Sequence, residues 1–229
     1  MNIHGLMKMT LLDYPEKVAC TVFLGGCDMR CPFCHNWELI DGNAPAIMDE
    51  QELYHFLEKR KGLLDGVVFT GGEPTLRKDL PEVIRHVKEM GYDIKLDTNG
   101  NHPKQLKEIV ESGLIDYVAM DIKNSPDKYG ITIGLPEFDI SRIEESVDYL
   151  LKGKIDFEFR TTVIKQYHDE QSFREIGQWI QGAPRYYLQG FVDRDTVPVK
   201  GLEAHGKEQM QRFIDIVTPY VGVAELRGL

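Results

Sequence analysis

The chain has 229 residues, 42% hydrophobic and 28% charged, with a formal net charge of −10, enough for one sizeable α/β domain spanning 1–229. The acidic balance argues against a nucleic-acid or anionic-membrane partner, because phosphate binding draws on clustered Lys and Arg. No apolar stretch approaches the ~18 residues of a membrane span and Met1-Asn2-Ile3-His4-Gly5 carries no signal-peptide pattern, so a cytoplasmic protein is expected.

Residues 1–17 include Thr10-Leu11-Leu12-Asp13-Tyr14-Pro15-Glu16-Lys17, a polar, proline-bearing lead-in expected to cover one end of a sheet. The apolar run Val18-Ala19-Cys20-Thr21-Val22-Phe23-Leu24 reads as a buried strand, with Cys20 a small core residue. Segment 25–36, Gly25-Gly26-Cys27-Asp28-Met29-Arg30-Cys31-Pro32-Phe33-Cys34-His35-Asn36, then holds three of the four cysteines at C-x3-C-x2-C spacing. Thiolates packed that closely are metal ligands. An iron–sulfur cube has four irons and is commonly held by four thiolates, so three from one loop leave an iron open for chemistry. A structural zinc knuckle is the competing reading, but it wants a fourth ligand at tetrahedral spacing. No cysteine follows Cys34, and His35 is adjacent to a ligand. A disulfide framework fits a long chain with few cysteines poorly.

Trp37 to Pro45 reads as a connector. Met48-Asp49-Glu50 begins a helix capped by Asp49, with Leu53, Phe56 and Leu57 on one face and His55 and Lys59 toward water. Gly66–Thr70 is a strand ending in Gly71-Gly72-Glu73-Pro74, and a helix from about Leu80 to Met90 is closed by Gly91. Asp93–Asp97 is the next strand, leaving through Thr98-Asn99-Gly100, and Pro103 opens a helix closed by Gly113. Asp116–Lys123 is a strand and its polar end, and Asn124–Phe138 has no period and reads as a loop. A helix carrying Ile143, Val147, Leu150 and Leu151, capped by Ser141 or Asp139, ends at Gly153. Strands Phe157–Ile164, Arg185–Gln189 and Val221–Arg227 alternate with helices at Gln171–Gln181 and about Glu203–Thr218.

Strands of about five residues alternating with helices of about eleven favour parallel βαβ units. About six units are countable, two short of a closed eightfold barrel. The expected fold is therefore α/β, an incomplete (β/α)6 parallel barrel, with a doubly wound open sheet as the alternative. Barrel ligands bind where strands exit at their C-terminal ends. Gly, Asn, Asp and Pro are common turn residues, but four polar exits in register behind a three-cysteine loop are hard to assign to turns alone. Paired glycines admit close backbone approach, Glu73 offers a carboxylate to an ammonium, and Asp97 and Asn99 suit ribose hydroxyls. The pattern fits a zwitterionic, nucleoside-bearing ligand.

The cysteine spacing, with aromatic Phe33 before the third cysteine, and Gly71-Gly72-Glu73-Pro74 resemble the signatures of the radical S-adenosylmethionine (radical SAM) superfamily. The resemblance implies a [4Fe-4S] cluster on Cys27, Cys31 and Cys34, with S-adenosyl-L-methionine on the open iron and its amino group at residues 71–74. It further implies reductive cleavage to a 5'-deoxyadenosyl radical. Asp13-Tyr14-Pro15, Cys34-His35-Asn36, Asp97-Thr98-Asn99-Gly100, Met120-Asp121-Ile122-Lys123 and Glu225-Leu226-Arg227-Gly228 look like the anaerobic ribonucleoside-triphosphate reductase activating proteins. More distantly they resemble pyruvate formate-lyase activating enzyme. Those relatives make a glycyl radical on a large partner enzyme. This closer resemblance implies a monovalent cation held by Asp97, Thr98 and Asp121, cofactor contacts from Asn99, Lys123, Arg160 and Gln189, and a flavodoxin- or ferredoxin-type electron donor. Two departures stand out: Glu16 occupies a position where the family usually has glycine, and no cysteine-rich insert lies between Cys34 and Gly71, so one cluster is expected.

Two other functions fit the residues. One is radical SAM chemistry on a small molecule or peptide, with Phe138, Tyr186 and Tyr187 lining a pocket. The other is a metal-binding regulator or electron carrier without catalysis.

Overall fold

The computed structural model describes residues 1–40 and 44–228. Its strands are β1 (Asn2–Thr10), β2 (Ala19–Leu24), β3 (Met48–Asp49), β4 (Gly66–Gly71), β5 (Asp93–Thr98), β6 (Tyr117–Asp121), β7 (Asp156–Val163), β8 (Arg185–Gly190) and β9 (Val223–Arg227). The helices are α1 (Trp37–Ile40), α2 (Glu50–Glu58), α3 (Leu80–Glu89), α4 (Pro103–Glu111), α5 (Tyr129–Thr132), α6 (Ser141–Leu151), α7 (Glu170–Trp179) and α8 (Lys207–Val217). Among the described residues one sheet runs β3-β1-β2-β4-β5-β6-β7-β8-β9. All pairings from β2 to β9 are parallel, and β1 pairs antiparallel with β2 and β3.

The parallel strands follow sequence order without a reversal, which excludes the doubly wound alternative, whose strand order must switch direction. The sheet curls: Arg160 of β7 reaches Asp97 of β5 at 3.1 Å, and Arg227 of β9 reaches Glu158 of β7 at 2.8 Å. The result is the expected partial (β/α)6 barrel, with β9 as a further parallel strand.

Alternation along the strands divides the apolar residues. Cys20, Val22, Leu24, Val67 and Phe69 join the core under the helices, whereas Ala19, Val68, Tyr117 and Tyr14 form a separate cluster on the other face. Tyr14 is 2% exposed and lies 6.1 Å from the Tyr117 ring, so Asp13-Tyr14-Pro15 plugs the end of the barrel remote from the cysteines. Asp13 accepts from the Thr21 hydroxyl at 2.6 Å. The lead-in thus covers an end as expected, but it also contains β1, which its sequence concealed. In β1 only Ile3 and Thr10 are buried, Met7 and Met9 are exposed, and Gly5 interrupts the run, so no period of two is visible.

Three further segments differ from expectation. Asn124–Phe138 contains a 3-10 turn (Pro126–Lys128) and α5, both too short to show a helical period. The final helix starts at Lys207, after Gly206, four residues later than expected. Trp37–Ile40 of the presumed connector is α1, while Asp41, Gly42 and Asn43 lie outside the described residues, as does Leu229. The expected Asp49 cap is present as a reciprocal capping box with Glu52. Asp139 accepts from the Ser141 amide at 3.0 Å at the start of α6. Among the described residues no helix is long and apolar enough to cross a membrane.

Candidate active site

The cysteine loop leaves β2 and is tied down on three sides. Gly26 N–H donates to Leu39 O at 2.8 Å, and Arg30 N–H donates to Ile133 O at 2.9 Å. Val199 N–H donates to Pro32 O at 3.2 Å, linking the loop to the segment after β8. His35 stacks on Phe191 and hydrogen-bonds Val192 O at 2.7 Å. Gly134 has φ +75° and faces Arg30 so closely that a Cβ would sit 2.4 Å from Arg30 O. The segment read as a featureless loop therefore buttresses the cysteines.

Cys27, Cys31 and Cys34 line one cavity, with Phe33 between the last two and near Tyr167. Burial pushes the thiols up, to about 12 at Cys27 and about 11 at Cys31, while Lys123 partly opposes the shift at Cys31. Cys34 moves the same way for the same reason. Such thiols become thiolates only when a cation replaces their protons, which is the donor chemistry an iron cluster needs. Among the described residues no three His, Cys, Asp or Glu side chains converge to hold a single metal ion.

The Gly71–Gly72 turn packs backbone to backbone against the start of the cysteine loop. Gly72 N–H donates to Leu24 O and Glu73 N–H to Gly26 O, both at 2.8 Å. A Cβ on Gly72 would lie 2.0 Å from Gly26 O, and one on Gly71 would lie 2.4 Å from Leu24 O. Glu73 is fully buried behind the turn: its carboxylate accepts from Thr75 N at 3.0 Å, the Thr98 hydroxyl at 2.8 Å and Asn99 N at 2.6 Å. It ties the exit of β4 to the exit of β5.

Opposite the cysteines, charges alternate across β5, β6 and β7. Lys95 pairs with Asp97 at 2.5 Å, Arg160 bridges Asp97 at 3.1 Å and Asp121 at 3.0 Å, and Lys123 reaches Asp121 at 2.8 Å. Burial alone would raise both carboxyls. Arg160 and then Lys95 hold Asp97 below its usual range, and Lys123 with Arg160 lowers Asp121 to about 2. Arg160 and Lys123 match Asp97 and Asp121 in the cavity lining, and Lys95, 1% exposed and outside that lining, adds a third cation that offsets Asp97, which leaves Arg160 and Lys123 suited to an anionic group.

A family profile for the radical SAM superfamily matches residues 21–179. The chain belongs to that superfamily. It is an enzyme of the radical SAM kind, and its cofactors are a [4Fe-4S] cluster and S-adenosyl-L-methionine. It is 34% identical over 233 residues to a glycyl-radical enzyme activating enzyme of Methanocaldococcus jannaschii, covering 99% of this chain and 96% of that one. A GTP 3',8-cyclase of Saccharolobus solfataricus is 32% identical over 66% of this chain and 48% of its own length. The pyruvate formate-lyase-activating enzyme of Clostridium pasteurianum is 33% identical over 55% of this chain and 54% of its own. Among solved structures, Streptococcus suis SuiB bound to precursor peptide SuiA superposes with TM-score 0.73 at 16% identity, over 91% of this chain and 48% of that one. That likeness concerns the fold.

In this radical SAM enzyme one cavity brings together most residues singled out from the sequence. Besides the cysteines and Phe33, it is lined by Gly71, Gly72, Asp97, Thr98 and Asn99, and by Asp121, Lys123, Arg160 and Gln189. Glu73 and Pro74 are buried and do not line it. None of the three aromatics considered for a substrate pocket lines it either: Phe138 sits in a separate groove, the Tyr186 hydroxyl bonds Thr161, and Tyr187 lies under Arg227. Sequence reasoning missed Thr70 and Thr162, which line the cavity from strands whose inward positions alternate. It also missed Lys95, 1% exposed and two residues before Asp97 on the same strand face.

Proposed function

We propose that this radical SAM enzyme generates a glycyl radical on a separate enzyme, with anaerobic ribonucleoside-triphosphate reductase as the candidate partner. The observation that carries the reading is the 34% identity to a glycyl-radical enzyme activating enzyme along 99% of this chain. The bound cofactors supply one-electron cleavage of a sulfonium–carbon bond and the adenosyl radical that follows, and the protein supplies placement and shielding.

Cys27, Cys31 and Cys34 hold the cluster. Lys123 and Arg160 take the methionyl carboxylate, and Asp97, Asn99 and Gln189 face the nucleoside. The Gly71–Gly72 backbone meets the ammonium group, because Glu73 is engaged by Thr75, Thr98 and Asn99 and acts by positioning the two exits. Phe33 and Pro74 keep the loop and the turn packed. A monovalent cation at Asp97, Thr98 and Asp121 must share carboxylates with Lys95, Arg160 and Lys123. A reducing compartment suits the free cysteines, and we place the enzyme in the cytoplasm.

The test is anaerobic reconstitution, reduction and incubation with S-adenosylmethionine and the reductase. A glycyl-radical doublet by EPR, matched by stoichiometric 5'-deoxyadenosine, is expected. A silent spectrum with every glycyl-radical partner supplied overturns the reading. The similarity to a GTP 3',8-cyclase over 66% of this chain favours a second reading, a small-molecule or peptide substrate. Deoxyadenosine formed in proportion to such a substrate, without any partner enzyme, would select it.

A further inference from the structure

A groove between α3 and α4 is lined by Arg77, Lys78, Arg85 and His102, with Glu108 as the only carboxylate among the described residues of its lining. Lys78 and Arg85 are exposed, and among the described residues neither has a carboxylate partner within ion-pair distance. Arg77 pairs with Asp79 at 3.4 Å, and Glu108 approaches Lys104 at 3.9 Å. On a chain of net charge −10, Lys78 and Arg85 are a local pair of cations without a carboxylate partner among the described residues. The neighbouring cavity beside α3 shares Arg85 with the groove and is otherwise richer in carboxylates, lined by Glu50, Asp79, Glu82 and Glu89 with Met1 and His86.

The groove also has a short route inward. His102 Nε2 meets Asp28 Oδ2 at 2.9 Å, and Asp28 Oδ1 accepts from Asn99 Nδ2 at 2.9 Å. Asp28 is the residue after Cys27, and Asn99 Nδ2 lies 3.8 Å from the Cys27 sulfur. One hydrogen bond and the Asp28 backbone therefore connect the groove wall to the first cysteine. On the opposite side of the loop, Pro32 and His35 are covered by the segment after β8.

Reductive cleavage consumes one electron for each S-adenosylmethionine, and that electron must arrive from outside the chain. Electron-transfer encounters are small and governed by charge complementarity more than by buried area. We infer that the α3–α4 groove is the docking surface of a small acidic electron-carrier protein, with His102 and Asp28 forming the route from carrier to Cys27. In each encounter the carrier is oxidised by one electron and the cluster reduced by one, with no group transferred. The inference rests on the radical SAM reaction alone and stands whatever molecule receives the radical.

The probe is a recombinant acidic flavodoxin, fully reduced, mixed anaerobically with reconstituted enzyme while cluster reduction is followed by absorbance. Lys78→Glu with Arg85→Glu is expected to slow reduction by about tenfold at low salt, and raising the salt should slow the wild type likewise. Reduction by dithionite should be unchanged. Calorimetric binding of flavodoxin to the cluster-free protein should weaken by a similar factor. If the double reversal disturbs the fold, seen as slower dithionite reduction, Lys78→Gln with Arg85→Gln serves instead, with an effect of about threefold. A flavodoxin rate within about twofold of wild type in the folded variant overturns the inference. So does a wild-type rate indifferent to salt, or a groove that binds a DNA duplex but not flavodoxin.

Discussion

Replacing Gly72 by alanine tests how the cluster loop is held. Its added Cβ would stand 2.0 Å from Gly26 O and 2.7 Å from Gly26 C, both backbone atoms that no rotamer change can move aside. The turn and the loop must separate by about 1 Å, with an overpacking cost of about 1–3 kcal/mol. The hydrogen bonds Gly72 N–Leu24 O and Glu73 N–Gly26 O, each 2.8 Å, would be stretched, for about another 1 kcal/mol apiece. The sum, about 3–5 kcal/mol, corresponds to a melting temperature lower by about 10 °C in a chain of this size. Gly91→Ala is the reference, since Gly91 has φ +95° with nothing within 4 Å of a Cβ. Its backbone strain should lower the melting temperature by about 4 °C. Calorimetry of the cluster-free proteins reads both, and iron per chain after reconstitution reads the loop itself. Gly72→Ala should lose iron while Gly91→Ala keeps it. A Gly72→Ala protein that melts within about 1 °C of wild type and takes up a full cluster would refute the argument.

Glu16 is the one non-glycine residue with positive φ, 62°, among the described residues. Glu16→Gly should raise stability by about 1 kcal/mol, less a part returned to the unfolded chain, and an unchanged or lower melting temperature would show no strain there. His168 is buried, with Nε2 on Lys123 O at 2.8 Å and Nδ1 accepting from Ile164 N at 3.1 Å, and burial pushes it down from 6.5 to about 4. The unfolded chain gains that proton first as pH falls, so the contribution is intact above pH ~6.5 and declines toward pH ~4, by about 3 kcal/mol in all. Urea melts of the cluster-free wild type and His168→Gln across that window should differ in slope, and parallel curves would refute the assignment. Arg160→Met leaves Asp97 and Asp121 short of a shared counter-charge at 3.1 Å and 3.0 Å. It should cost about 3 kcal/mol and abolish S-adenosylmethionine binding by calorimetry; a variant that binds normally would remove Arg160 from the site.

What was legible in the sequence follows from which interactions are local. Period and turn chemistry placed the parallel strands and the long helices, because a buried strand and an amphipathic helix each announce themselves over a few residues. The cysteine spacing and Gly71-Gly72 were legible for the same reason: three donors on one loop and two glycines on one turn are short-range patterns. Glu73 shows the limit. Its residue type suited an ammonium partner, but besides the local Thr75 its partners are Thr98 and Asn99 from the next strand's exit, which only the sheet register brings to it. In the sequence Lys95 is one more residue of a strand. It is a buried cation because Asp97 stands two residues on, facing the same interior. Arg227 likewise acquires meaning only when β9 curls far enough for it to grip Glu158 across β8. The charged interior is thus in part a product of barrel curvature: Lys95 and Lys123 pair within their own segments, whereas Arg160 and Arg227 answer carboxylates one or two strands away, and only the curled sheet joins these pairs into one wall.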